Sequence, residues 1–194
     1  MIFFTSDHHF GHKNIIRLCR RPFGSVEEMD AEMIRRWNET VGPKDTVYHL
    51  GDFSFRRLGA FPKLIAQLNG DIRFVVYPPH HDKFWLRRYK PERPLYSLSG
   101  IPATPLPALK VIYTMDYSPD DEHPQAIVMC HYPFEVWEQQ QFGSWHVHGH
   151  THGTIQPNGQ RMDVSVDVTD FRPVSMTQLA QAMLVREKRS CLGE

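Results

Sequence analysis

The amino-acid sequence predicts a domain of the α/β class. Its 194 residues fit one domain of ordinary size, and 41% of them are hydrophobic, which is enough apolar material for a buried core. Over residues 1–82, apolar runs typical of strands alternate with stretches typical of helices, and this alternation favours a largely parallel sheet. A cluster of polar residues follows each of these strands, where functional sites of α/β sheets assemble.

The first half of the chain contains five predicted elements. Ser25 and Glu28 have the spacing of a capping box, which opens a helix, and Asn69-Gly70 is typical of a helix end. The strands are short apolar runs that stop at polar residues or prolines. In chain order, the predicted elements are a strand at 2–5, a helix from 25 to about 42, a strand at 46–50, a helix at 58–68 and a strand at 72–77.

The second half is predicted as an irregular segment followed by strands. Residues 89–109 carry five prolines, so we expect surface loops there. Residues 162–168 alternate valines with polar residues, as a half-buried strand does. Within this run, Asp167 either supports a functional residue or faces outward. The remaining predicted elements are strands at 126–130 and 146–148 and a helix at 175–187.

Charge and composition exclude several classes of protein. The chain has 22 basic and 22 acidic residues, so it lacks the excess positive charge of proteins that coat nucleic acids. It has neither the ~20 consecutive apolar residues of a membrane span nor the features of a signal peptide, so no membrane association is expected. Cys19, Cys130 and Cys191 form no C-x-x-C pair, which predicts free thiols in a cytoplasmic protein.

Histidine is the most informative residue type. The chain has 12 histidines, nine of which lie in the segments 8–12, 80–81 and 146–152. Side chains two residues apart at the end of a strand point the same way, so Asp7 and His9 can reach one ion, and so can His150 and His152. The candidate metal ligands are Asp7, His9, Asp52, His80, His131, His150 and His152.

This set of ligands predicts two metal ions. Seven ligands exceed the number that one zinc ion uses and suit two ions that share a bridging carboxylate. Mixed imidazole and carboxylate ligands favour Mn, Fe, Zn, Co or Ni over Mg or Ca, which prefer oxygen. We therefore expect two divalent transition-metal ions as cofactors.

The same residues carry a resemblance to the calcineurin-like metallophosphoesterases. Segments 7–15 and 170–175 also resemble the compact bacterial and phage members. The resemblance implies a β-sandwich of mixed sheets flanked by helices, as a single domain over residues 1–194. The family motifs occur in order as D-x-H at Asp7–His9, G-D at Gly51-Asp52, the end of G-N-H-D at His81-Asp82, an isolated His131 and G-H-x-H at 149–152.

The resemblance also implies a role for each residue. The residues implied for the first ion are Asp7, His9, Asp52 and His152, and those implied for the second are Asp52, His131 and His150. Asp52 would therefore bridge the two ions. His81 would act beside the scissile phosphate, with Asp82 orienting its ring.

The third motif departs from the family pattern. The asparagine that usually gives an oxygen to the second metal is His80 in this chain, and the preceding glycine is Pro79. His80 either supplies an imidazole nitrogen in place of that oxygen or points away from the metals.

The predicted function is hydrolysis of phosphate esters by hydroxide that two metals activate. Phosphodiesters of nucleotides or nucleic acids are the favoured substrates, because a small domain without a cap leaves the metals open to large molecules. Five basic residues between 83 and 93 either contact a nucleic-acid backbone or form a solvated helix face. The alternatives are a phosphomonoesterase with the same site and, in another class, a non-catalytic metal-binding or protein-interaction module of this fold.

Overall fold

The computed structural model describes residues 1–56, 59–75, 82, 86, 89–90, 94–118 and 122–186. In these residues the chain folds into two mixed β-sheets that are flanked by helices. Its strands are β1 (Ile2–Thr5), β2 (Thr46–His49), β3 (Asp71–Val75), β4 (Thr104–Leu106), β5 (Leu109–Thr114), β6 (Gln125–Cys130), β7 (Trp145–His148), β8 (Arg161–Asp163) and β9 (Val174–Ser175). Its α-helices are α1 (Lys13–Leu18), α2 (Val26–Thr40), α3 (Phe61–Ile65) and α4 (Met176–Leu184), and Gln140–Phe142 and Val166–Val168 are short 3₁₀ helices.

The order of the strands brings the polar segments together. The first sheet has the order β4-β3-β2-β1-β9, and the second has the order β5-β6-β7-β8. β1, β2, β3 and β4 run parallel to one another, as do β6, β7 and β8. The carboxyl ends of β1 and β2 therefore meet at one edge of the first sheet, and those of β6 and β7 meet at one edge of the second.

Alternating side chains of the first sheet enter two hydrophobic clusters. Phe3 packs in one cluster with Trp37 of α2, whereas Phe4, on the opposite face of β1, packs in the other. The second cluster also contains Trp145 of the second sheet and Leu179 of α4. Both sheets thus contribute to one core, and the predicted single-domain α/β class with mixed sheets and flanking helices is confirmed.

The predicted helix after Ser25 is confirmed. The Ser25 side chain accepts a hydrogen bond from the Glu28 N–H at 3.1 Å, as a helix cap does. The Glu28 carboxylate accepts the Gly24 N–H at 2.8 Å, so it reaches one residue further back than in the usual capping box. The strands β1, β2, β6 and β7 and the helix α4 also lie where the sequence predicts them.

The prediction of one strand over residues 162–168 is wrong. β8 ends at Asp163, and Val166–Val168 is a 3₁₀ helix. Asp163 Oδ1 accepts the backbone N–H of Ser165 at 2.8 Å, a local bond that competes with strand pairing and turns the chain. Of the three valines that alternate in this run, Val164 and Val166 are buried, whereas Val168 is 46% exposed.

Other elements differ from the prediction in extent. The proline-rich segment contains the strand β4, which tolerates Pro105 because it lies at the edge of its sheet. The helix predicted at 58–68 is only Phe61–Ile65, and the sequence patterns do not predict α1 or β5. Residues 76–77 of the third predicted strand, together with the predicted site residues His80 and His81, lie outside the described residues. No helix within the described ranges is long and apolar enough to cross a membrane.

Candidate metal centre

The chain segments that follow β1 and β2 continue side by side beyond the sheet. The Asp7 N–H donates to the Gly51 carbonyl at 3.0 Å, and the His9 N–H donates to the Asp52 carbonyl at 3.0 Å. In the second sheet, the Gly149 N–H donates to the His131 carbonyl at 3.0 Å. Backbone bonds thus hold the segments that carry the predicted ligands side by side at the ends of their strands.

An uncommon backbone conformation marks these positions. Nine non-glycine residues of the described chain have a positive φ, and five of them are predicted ligands. Such a conformation costs about 1–3 kcal/mol per residue and persists where the surrounding structure enforces it, which is often at functional sites. The five predicted ligands are Asp7 (58°), His9 (53°), Asp52 (53°), His150 (69°) and His152 (47°).

Asp7, His9 and His152 form the first group that could hold a metal ion. Asp7 Oδ1 lies 3.8 Å from His9 Nε2 and 3.6 Å from His152 Nε2. These distances are too long for hydrogen bonds and close to the ~3.4 Å that separates two ligands of a tetrahedral ion with bonds of ~2.1 Å. Asp7 Oδ1 is buried and accepts no hydrogen bond from the described residues, so a cation fits this position.

Asp7, Asp52 and His131 form the second group. Asp52 Oδ2 lies 3.7 Å from His131 Nε2 and 3.6 Å from His9 Nε2, so it stands between one histidine of each group. Asp7 belongs to both groups. Carboxylates placed in this way are suited to a pair of neighbouring ions.

Hydrogen bonds on the far side of two imidazole rings point their Nε2 atoms toward the carboxylates. His131 Nδ1 lies 2.9 Å from the Leu50 carbonyl oxygen, which accepts only if Nδ1 carries the proton. His152 Nδ1 lies 2.6 Å from Asp167 Oδ2. In both rings, this assignment leaves the Nε2 lone pair facing the site.

The pKa of His152 reflects its carboxylate neighbours. Burial alone lowers this pKa, but the hydrogen bond to Asp167 and the negative charges of Asp7 and Asp167 outweigh burial and raise it above the ordinary value. The pKa of Asp167 is lowered, because its bonds to His152 and Arg21 outweigh the effect of burial. A positive charge at this place is therefore favourable, whether a proton or a metal ion carries it.

Asp7 is anchored through its other carboxylate oxygen. Asp7 Oδ2 accepts the His150 N–H at 2.9 Å and the Ser165 hydroxyl at 3.0 Å, and it also contacts the Ser6 hydroxyl. These donors direct Oδ1 toward the two histidines. The motif glycine Gly149 lies against this anchor, where a Cβ would overlap Ser6 Oγ and Asp7 Oδ2.

We expect Gly149→Ala to displace the Asp7 carboxylate. The added methyl group should lower the free energy of unfolding by about 1–3 kcal/mol, as overpacking does, and should weaken metal binding. Thermal unfolding with and without metal measures both effects. Gly59→Ala is the matched control, because its Cβ meets no atom within 4 Å and its φ is not in the left-handed region. Equal metal affinity in the two variants would contradict the close approach.

Arg21 and Asp167 support the site, and no motif marks them. The buried Arg21 guanidinium donates to both oxygens of Asp167 at 2.8 Å and to the carbonyls of Asp7 at 2.7 Å and His8 at 2.8 Å. Of the two roles left open for Asp167, the structure shows the inward one, because Asp167 is hydrogen-bonded to the predicted ligand His152. This supporting role of Arg21 could be recognised only from the fold, because its partners are backbone atoms and a residue far along the chain.

His8 and His49 lie behind the site as a neutral pair. His8 Nδ1 and His49 Nε2 are 2.9 Å apart, and His49 Nδ1 accepts the Gly51 N–H at 3.2 Å. The His49 proton therefore lies on Nε2 and is donated to His8. Burial and the nearby Arg21 charge lower the pKa of His8 to about 3, and burial lowers the pKa of His49. The rings of His8 and His49 pack behind the site, whereas the ring of His9 faces the carboxylates of Asp7 and Asp52.

A third group of possible ligands does not suit a metal. Cys19, His152 and Asp167 lie close together. However, His152 Nδ1 and Asp167 Oδ2 are already hydrogen-bonded to each other. Burial and the Asp167 charge raise the pKa of the Cys19 thiol to about 11, so it stays protonated at neutral pH.

The remaining predicted site residues belong to neither group or lie outside the described residues. His150 is exposed, and its ring centroid lies 5.1 Å from that of His131, but its side chain belongs to neither group. Asp82 is fully buried, and its Oδ1 accepts the Phe53 N–H at 3.2 Å, which ties it to the segment after Asp52. His80 and His81 are outside the described residues, so their predicted roles stay predictions.

Comparisons with known proteins give relatives without a stated activity. No protein-family model matches the chain. It is 32% identical over 184 residues to the uncharacterized protein MJ1445 of Methanocaldococcus jannaschii, covering 90% of this chain and 86% of that protein. It is 29% identical over 173 residues to the gene 66 protein of Mycobacterium phage L5, covering 78% and 77%.

A solved structure shares the fold. The crystal structure of AQ665 from Aquifex aeolicus, a protein of unknown function, matches with a TM-score of 0.65 and covers 94% of this chain and 98% of its own. The two sequences are 21% identical, so this likeness concerns the fold alone.

Proposed function

The chain belongs to the same family as the uncharacterized protein MJ1445 of Methanocaldococcus jannaschii, and we propose that it is a phosphoesterase with two metal ions. The observation that carries this proposal is the position of Asp52 Oδ2, 3.6 Å from His9 Nε2 and 3.7 Å from His131 Nε2. A carboxylate oxygen between histidines of two groups is the arrangement that a bridged pair of ions requires.

The donor set favours Mn, Fe, Zn, Co or Ni, because it combines imidazole nitrogens with carboxylates. When bound, two such ions would acidify a water molecule and neutralise charge on a phosphate ester. Asp7 and Asp52 would offset two of the four positive charges, which leaves the site attractive to an anionic substrate. The buried position of both carboxylates keeps that attraction from being screened by solvent.

His81 is the proposed proton donor to the leaving group. The sequence places it next to Asp82, whose carboxylate is bound to the Phe53 N–H and is thus held beside the Asp52 segment. An imidazole oriented by a carboxylate presents its other nitrogen in a fixed tautomer. His80 remains a proposed seventh ligand, with the alternative that it points away.

Phosphodiesters, including those of nucleotides and nucleic acids, are the proposed substrates, with phosphomonoesters as the alternative. We further propose that the two sheets form a β-sandwich like that of the calcineurin-like metallophosphoesterases, because Phe4 and Trp145 from opposite sheets share one cluster. A non-catalytic metal-binding module is the competing proposal of another class.

The first test is metal content and activity of the same sample. We expect two ions per chain by elemental analysis after reconstitution with Mn²⁺, Co²⁺, Ni²⁺ or Zn²⁺. We also expect hydrolysis of bis-p-nitrophenyl phosphate that exceeds hydrolysis of p-nitrophenyl phosphate. Chelation should abolish the activity, and returning the metal should restore it. Two bound ions without hydrolysis of either ester would favour the non-catalytic module.

A further inference from the structure

The two candidate metal groups differ in what lies behind their histidines. His152 Nδ1 is hydrogen-bonded at 2.6 Å to a carboxylate oxygen of Asp167. His131 Nδ1 is hydrogen-bonded at 2.9 Å to the neutral backbone carbonyl of Leu50. A carboxylate draws the ring proton more strongly than a carbonyl does, so it leaves more electron density on the opposite nitrogen. His152 is therefore the stronger donor of the two.

Arg21 strengthens this asymmetry, because it holds the carboxylate behind His152, in addition to the backbone of Asp7, which both groups share. Its Nε and Nη2 atoms each lie 2.8 Å from one oxygen of Asp167, as a bidentate guanidinium contact does. Its Nη2 also lies 2.7 Å from the Asp7 carbonyl oxygen. One buried side chain thus fixes the carboxylate behind His152 and the backbone of Asp7.

The geometry of these contacts is specific to arginine. The guanidinium fork binds both carboxylate oxygens in one plane, whereas lysine is a point charge on a flexible stem. The side chain of Arg21 is fully buried, so its bonds are shielded from water and ions. A donor set held in advance in this way loses little conformational freedom when an ion binds.

We propose that Arg21 and Asp167 are positioning residues that make the group Asp7, His9 and His152 the tighter of the two metal sites. The two ions then bind in sequence, first to this group and afterwards to the group that contains His131. This inference rests on the proposed function through its two metal ions and does not depend on which ester is hydrolysed.

Calorimetric titration of the metal-free protein with Co²⁺ tests the proposal. We expect two binding events of different affinity in the wild type. Asp167→Asn should weaken the first event about 10–100-fold, which is the usual cost of removing a partner behind a metal ligand. The second event should change far less. The visible absorption of the first equivalent of Co²⁺ should shift in this variant, because it reports the donor strength and geometry of that site.

Two further variants sharpen the comparison. Arg21→Lys should weaken the first event in the same direction as Asp167→Asn, since it keeps the charge and loses the fork. Asp170→Asn is the matched control, because Asp170 is an exposed aspartate paired with Arg36 and lies three positions from Asp167. We expect Asp170→Asn to reproduce both wild-type events. Circular dichroism of the metal-free proteins shows whether each variant folds. If Arg21→Lys does not fold, the Co²⁺ titration of Asp167→Asn, which preserves side-chain volume, tests the proposal without it.

The outcomes separate this inference from the proposed function. Equal affinities at the two sites of the wild type would overturn the inference, even with full esterase activity. So would wild-type Co²⁺ binding in Asp167→Asn, or an equal loss at both sites. Stepwise binding that Asp167→Asn weakens selectively, in a protein that hydrolyses no ester, supports the inference and rejects the phosphoesterase.

Discussion

Asp52→Asn is expected to abolish phosphoester hydrolysis and to lower metal content in the same variant. Asp52 Oδ2 stands between His9 and His131, so its charge would serve both ions. Losing one ion removes several kcal/mol of stabilisation of the transition state, which corresponds to a loss of roughly 10³-fold or more in turnover. The substitution changes charge and leaves side-chain volume almost unchanged, so the fold should persist.

Elemental analysis and turnover number, measured on the same reconstituted sample, check this expectation. Asp45→Asn is the control, since the Asp45 carboxylate contacts the amino group of Met1 and the Gly42 N–H and belongs to neither metal group. It should keep both ions and full turnover. Retention of two ions with near-normal turnover in Asp52→Asn would remove Asp52 from the site and, with it, the observation that carries the proposed function.

His81→Ala is expected to keep both metal ions and to lower turnover by about 10²–10⁴-fold, the usual contribution of a general acid. The loss should shrink for esters whose leaving group has a low pKa, because such a group departs without receiving a proton. The turnover of His81→Ala relative to the wild type, measured over a series of aryl phosphodiesters with leaving groups of increasing pKa, therefore tests this role of His81. His123→Ala, at an exposed histidine, should leave the whole series unchanged.

A loss that is uniform across the series would contradict the acid role and assign His81 to binding of the phosphate. A loss of one metal ion in His81→Ala would make it a ligand. The three roles thus differ in two measurements, the dependence on the leaving group and the metal content.

The convergence of Asp7, His9, Asp52, His131 and His152 could be predicted because it follows from local patterns. Each residue comes just after a short apolar run or within a two-residue spacing, and parallel strands bring such ends together. The orientation of the side chains does not follow from these patterns, however. The two-residue spacing predicts an extended strand at Asp7 and His9, whereas both residues have left-handed backbone. Their side chains share a site through a sequence of turns that hydrogen bonds to the β2 segment hold in place.

The support behind the ligands could not be predicted in the same way. Arg21 bonds to Asp167, which is 146 positions away, and to backbone carbonyls, so no spacing connects them. The position of Asp167 also depends on the end of β8 at Asp163, where a side-chain bond to Ser165 overrides the strand pattern. Long-range contacts and local side-chain competition are both invisible to periodicity.

The separation of Arg21 from Asp167 has a consequence for how the protein acquires its site during folding. Contacts between residues so distant along a chain form late, because closing a long loop costs entropy before the contact repays it. Secondary structure can therefore precede the site in time. In refolding from denaturant, the far-ultraviolet circular dichroism should recover before the absorption of bound Co²⁺ appears. The rate at which the metal signal appears then measures how fast the segments around Arg21 and Asp167 come together in the last step of folding.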